Sequence, residues 1–125
     1  ELPLAEAESI LKITSTNINE IEGNKPFAGN YGSGALHTGR AVKMVNDLIS
    51  PSENLTIENQ DFNRWDFTIT AFSESVLFKN QTFREDASLK LTSKNNIILK
   101  PGTLLQSSNK RGIVLAINPT LVKKN

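Results

Sequence analysis

From Asn54 onward the chain reads as short strand-forming segments separated by short polar turns, and nothing else constrains its fold as strongly. Trp65, Phe67, Ile69 and Ala71 alternate with Asp66, Thr68 and Thr70, the pattern of a half-buried strand. Further strand candidates are Leu55–Ile57, Val76–Lys79, Ser88–Thr92, Asn96–Lys100, Thr103–Gln106 and Gly112–Ile117. Asn95-Asn96, Pro101-Gly102 and Ser107–Arg111 mark the turns. Strands this close in sequence favour a meander or hairpins, because parallel pairing needs crossover connections of a dozen or more residues. The expected sheet is therefore mostly antiparallel, with about five to six short strands.

The first part of the chain changes period. Leu4, Ala7, Leu11, Thr14, Ile18 and Ile21 recur at spacings of three and four. That predicts a helix over about 4–15, extending at most to 21, against a competing strand over 10–16. Ala41, Met44, Val45, Leu48 and Ile49 line one face of a clearer helix from Thr38 to Ile49, with Thr38 as the expected N-cap and Pro51 as the stop. The fold class expected is α+β: one or two N-terminal helices packed on that sheet, as a single domain over 1–125 or a piece of a longer chain. Its expected core is Leu11, Val45, Leu48, Trp65, Phe67, Ile69, Leu77, Leu89, Leu91, Ile98, Leu105, Ile113 and Leu115. This layout is similar to that of pilin-like subunits, although the characteristic pilin N-terminus is absent. The weaker alternative is a β-solenoid, suggested by strands recurring every seven to nine residues from Val76 to Ile117 without a repeated consensus.

The charges are sorted along the chain. Residues 1–78 hold 5 Lys/Arg against 11 Asp/Glu, a net of −6, and residues 79–125 hold 9 against 2, a net of +7. Lys90, Lys94, Lys100, Lys110 and Arg111 form a candidate interaction surface, with Lys123 and Lys124 closing the chain. Such a surface suits self-association, a protein partner, or an anionic surface or glycan. Lysine on strand edges also suppresses aggregation, which is the bland reading. Nucleic acid ranks below these, since the pI is 8.3 and no aromatic-interleaved basic motif is present.

Residues 22–37 form a glycine-rich loop. Lys25, Tyr31, Gly32, Ser33, Gly34, His37 and Arg40 are its candidate ligand-binding residues, because backbone amides before a helix attract anions. The order of glycines matches neither dinucleotide nor P-loop motifs, so a plain connection is the favoured reading. Ser33 and His37 could serve a hydrolase only with an orienting carboxylate that the sequence does not place. No residue is assigned to catalysis, to a metal or to a cofactor: with no cysteine and one histidine, a zinc site is disfavoured. No apolar run approaches the length of a membrane helix. The start at Glu1 points to a processed or trimmed chain, and the wealth of Asn, Ser and Thr to an exported, periplasmic or cell-surface protein. The functional expectation is a non-catalytic structural or protein-interaction domain with charge-driven head-to-tail contacts. A small-ligand or anion-binding domain using 29–40 comes second and a small hydrolase third.

Overall fold

The computed structural model describes residues 2–123. Glu1, Lys124 and Asn125 lie outside them, so the expected basic tail is described only at Lys123. The elements are α1 (Leu4–Ile13), a 3-10 helix (Glu22–Phe27), α2 (Thr38–Ile49) and nine strands: β1 (Asn54–Glu58), β2 (Asp61–Phe62), β3 (Asp66–Ala71), β4 (Ser75–Lys79), β5 (Thr82–Glu85), β6 (Ser88–Ser93), β7 (Asn96–Leu99), β8 (Leu104–Ser107) and β9 (Ile113–Ile117).

The strands form three parallel sheets, β1-β4-β7, β2-β5-β8 and β3-β6-β9. The mostly antiparallel sheet, and the pilin-like layout that rested on it, are thereby overturned. Consecutive strands do not pair at all. Each strand pairs with the one three places later, so the chain winds through three walls and stacks on itself. Leu55 lies beside Val76 and Phe67 beside Leu89. The crossover that parallel pairing demands is present after all, supplied by the other two walls of the coil rather than by a helix. The architecture is the β-solenoid, with coils at 54–74, 75–95 and 96–118.

Like stacks on like inside. Phe62 lies beside Phe83, and Phe83 beside Leu105. Leu55, Ile57, Phe62, Phe67, Ile69 and Ala71 of the first coil are buried, as are Val76, Phe78, Phe83, Ala87, Leu89 and Leu91 of the second. Leu77 and Ile98, expected in the core, point outward; Val76 with Phe78, and Ile97, point inward instead. The first corner needs a left-handed residue, and Asn59 (φ 63°), Asn80 (φ 48°) and Gly102 (φ 87°) supply it in successive coils. Asn80 Nδ2 donates to Asn59 Oδ1 at 3.3 Å, tying two of these corners together.

The helices close one end of the stack. A solenoid's first coil has a free edge whose amides need partners. Ser9 Oγ accepts from the Thr68 amide at 2.9 Å and the Leu48 carbonyl from the Phe72 amide at 2.8 Å. Gln60 Nε2 donates to the Ser15 carbonyl at 2.6 Å, anchoring the end of α1 to the first corner. This duty explains why α1 turns an unexpected face inward. Its buried residues are Glu6, Ser9, Ile10 and Ile13, whereas Leu4 is 76% and Leu11 44% exposed. The helix stops at Ile13, and Thr16 instead pairs with Ala35 in an isolated antiparallel bridge. At α2 the N-cap is His37, not Thr38: its Nδ1 accepts from the Arg40 amide at 3.1 Å. Among the described residues no helix is long and apolar enough to cross a membrane.

Replacing Ser9 by Ala would leave the Thr68 amide without its acceptor. The expected loss is about 1–3 kcal/mol of unfolding free energy, together with faster hydrogen exchange at the Thr68 amide. Unchanged exchange there would show that the cap does not seal this edge.

The other end is open. No described strand pairs with the outer edge of β7, β8 or β9. Ile98, Leu99, Leu104, Val114 and Ile117 of this last coil are each at least 40% exposed.

Candidate functional site

The glycine-rich loop is folded against the cap. The Thr16 and Ala35 amides and carbonyls exchange two hydrogen bonds of 2.8 Å. Gly34 (φ 109°) makes this approach feasible, since a Cβ there would lie 2.0 Å from the Thr16 carbonyl oxygen. Asn24 Nδ2 donates to the Ile18 carbonyl at 3.0 Å, and the Gly29 amide to Asn19 Oδ1 at 3.1 Å. The loop is thus a structured wall rather than a plain tether.

The candidate ligand residues are divided between two clefts and their surroundings. Gly32 and Ser33 line one cleft. Arg40 lines another, between α2 and β1, where its Nη2 donates to Thr16 Oγ1 at 2.6 Å. Lys25 pairs with Glu22 at 2.9 Å, and the Tyr31 hydroxyl donates to Asn24 Oδ1 at 3.3 Å. Gly34 is pressed on Thr16. His37 caps α2 and so takes up one of the amides that an anion would use. Ser33 Oγ lies 3.3 Å from Ser15 Oγ, and no hydrogen bond joins Ser33 to His37 among the described residues.

The cleft holding Gly32 and Ser33 is the better built of the two. It measures about 400 Å³ and is walled by Asn17, Asn19, Gly29, Gly32 and Ser33 on the loop side. Gln60, Asp61, Phe62, Asn63, Arg64 and Trp65 close it from the first coil, and Arg84 from the second. Trp65 sits at φ 76°, a conformation that costs a bulky residue about 1–3 kcal/mol. Its surroundings hold it there. Phe62 and Phe67 pack edge-on at 6.3 and 6.5 Å between ring centroids. The Arg64 guanidinium lies 4.3 Å from the indole centre and the Lys12 ammonium 5.2 Å. Asp61 grips Arg84 with two bonds of 2.8 and 3.0 Å, and this contact raises the Arg84 pKa above its ordinary value. The cleft's remaining cation is Arg64, whose one hydrogen bond among the described residues runs from Nη2 to the Gly29 carbonyl at 3.4 Å.

The cleft between α2 and β1 is charge-balanced, with Arg40 and Lys43 opposite Asp47 and Glu58. Lys43 is bound to Asp47, and that hydrogen bond raises the Lys43 pKa.

Asn17, Asn19, Asn63 and Arg64 were not among the sequence candidates, and Trp65 was expected in the core rather than at a cleft. The cleft draws on four separated segments, and the one local sign was the Arg64-Trp65 pair beside turn-forming Asn63.

The basic residues of the later strands do not form one patch. Lys90 is exposed on β6, Lys94 lies at a corner after it, Lys100 after β7, and Lys110 before β9. Arg111 reaches back to Asp66 at 2.8 Å. What they share is height. The coils stack in chain order, so the cap and first coil (2–74) carry 5 Lys/Arg against 10 Asp/Glu, net −5, and the second and third coils (75–118) carry 7 against 2, net +5. Lys123 lies back beside Phe72 of the first coil.

Comparison with protein-family models, curated proteins and solved structures finds no match. The geometry by itself defines a β-solenoid closed by helices at one end and open at the other.

Proposed function

We propose that the protein is a non-catalytic structural module that associates head to tail with a second copy of itself. The open edge of β7, β8 and β9 carries the proposal. Exposed parallel edges bearing apolar side chains are templates for association, and proteins usually blunt them. Here one end of the stack is blunted by α1 and α2, while no described strand or helix covers the other. Charge favours opposite ends over like ends: the open end belongs to the basic part, the cap to the acidic part. The cap also offers an apolar groove of about 360 Å³ between α1 and α2, lined by Leu2, Leu11, Leu36, Val42 and Val45. A heterologous contact of this kind propagates into rings or filaments. The richness in Asn, Ser and Thr supports placing such an assembly outside the cytoplasm, at the cell surface or in an exported structure.

Sedimentation velocity tests the proposal. At low salt the protein should form species larger than a monomer. These should dissociate near about 0.5 M salt, where the screening length falls to a few ångströms. The pair Lys100→Glu and Lys110→Glu should weaken assembly, and Val114→Lys on the bare edge should abolish it. A monomer at every salt and protein concentration would overturn the reading.

A further inference from the structure

We propose that the cleft at the Trp65 corner binds a carboxylated sugar unit, a uronic acid residue, with Arg64 on its carboxylate. The inference is independent of head-to-tail assembly, because none of the cleft's residues belongs to the edge of β7, β8 and β9 or to the apolar groove between α1 and α2.

Charge sets the first requirement. The charged side chains of the cleft are Asp61, Arg64 and Arg84, a net of one positive charge. Arg84 is occupied by Asp61 and Glu85. Arg64 retains donors in a planar fork, the geometry that receives a carboxylate through two parallel bonds. Its guanidinium rests over the Trp65 ring, 4.3 Å from the ring centre, which restrains it before any ligand arrives.

The neutral groups set the second. Asn17 Oδ1 accepts from the Asn19 amide and Asn19 Oδ1 from the Gly29 amide, which orients both carboxamides. Neither Nδ2 group has a protein partner among the described residues, and the Asn63 carboxamide has none for either atom. Oriented carboxamides beside an aromatic floor suit a ligand with hydroxyls on its rim and C–H groups on its face. The solvent-exposed part of the half-buried Trp65 provides that floor, backed by the buried ring of Phe62. Gly29 and Gly32 keep the opposite wall low, since no atom lies within 4 Å of where their Cβ atoms would be. A volume of about 400 Å³ admits one or two sugar rings.

The only tryptophan in the chain stands in the cleft, so its emission reports occupancy directly. Titration with glucuronate should give a saturable change in Trp65 fluorescence with a dissociation constant of about 1–10 mM, the range of a small single site. Glucose lacks the carboxylate and acetate lacks the ring, so each should bind at least about tenfold more weakly. Arg64→Gln should weaken glucuronate by at least about tenfold. Asn63→Ala, at an exposed turn, should weaken it several-fold while leaving the circular dichroism spectrum unchanged. Side-chain amide NMR signals of Asn17, Asn19 and Asn63 should shift together on binding. Absence of saturation in both fluorescence and NMR would overturn the proposal. So would acetate or phosphate binding as tightly as glucuronate, which would reduce the cleft to a simple anion site.

Discussion

Replacing Phe83 by alanine should lower the unfolding free energy by about 3–5 kcal/mol. The ring is fully buried in the middle coil. It lies 5.5 Å from Phe62, 5.1 Å from Phe67 and 6.3 Å from Phe78, measured between centroids. Its neighbours are held by backbone pairing above and below, so they cannot collapse into the space the ring vacates. The lost transfer free energy is then joined by the cost of a cavity. The middle position adds to the effect, because a layered stack is stabilised largely by its nearest-neighbour interfaces. Weakening the second coil loosens its contacts with both the first and the third. Urea denaturation checks the value. Phe27→Ala, on a ring 55% exposed, should stay within about 0.5 kcal/mol of the native protein. A Phe83→Ala variant no less stable than the Phe27→Ala variant would contradict the stacked core.

Gly34→Ala should detach the loop 22–37 from the cap. Two penalties act at the same place. The residue sits at φ 109°, where an L side chain is strained, and its Cβ would stand 2.0 Å from a backbone oxygen. Neither Thr16 nor Gly34 can yield without breaking the two 2.8 Å bonds between Thr16 and Ala35. Strain and lost hydrogen bonds together should cost about 3 kcal/mol. The solenoid itself does not depend on this bridge, so the damage should be local. Hydrogen exchange should accelerate at the Thr16 and Ala35 amides while the Leu89 and Leu91 amides of β6 stay protected. The cleft at Trp65 would lose its Gly29–Ser33 wall, and the glucuronate response should vanish with it. Unchanged exchange at Thr16 would show that the loop is held by something other than this contact.

Much of the local structure was legible in the sequence. The spacing of Ala41, Met44, Val45 and Leu48 marks α2, and the alternation from Trp65 to Ala71 marks β3. The pairing was not legible, for a definite reason. The middle wall begins with β2 and β5, two and four residues long, and neither stands out by composition. With those strands unseen, the closeness of the others favoured a meander. The rhythm of seven to nine residues supported only the weaker solenoid alternative, whereas each interval is one wall of a coil three times as long. A repeat does betray the coil: Asn59-Gln60-Asp61-Phe62 returns 21 residues later as Asn80-Gln81-Thr82-Phe83. Each of its conspicuous residues has a task. The asparagine turns the corner, Gln81 accepts from the Gln60 amide at 3.1 Å, and the phenylalanines stack. The third coil replaces the corner with Pro101-Gly102, which hides the repeat from a search for identity.

The errors in the core have similar causes. Val76, Leu77 and Phe78 are all apolar, so alternation cannot say which of them faces inward. In α1 the amphipathic rule fails outright. The underside of a cap must offer acceptors to free strand amides, so Ser9 goes in and Leu11 stays out. The cleft escaped notice because no single segment contains it; residues 17, 33, 64 and 84 meet only when the first two coils and the loop are in place.

Stacking the coils in chain order makes the molecule a ruler. Position along the chain is height along the axis, at about 4.8 Å for each coil. The register between paired strands is 21 residues at the first wall, but 24 from Leu89 to Ile113. One residue of the surplus falls in the corner before β8, at Pro101-Gly102, and two in the corner before β9, around Asn109 and Lys110. Small insertions at corners therefore change the outline of the rod and leave its length alone. Length changes only by whole coils, and each added coil would carry its own charges to its own height.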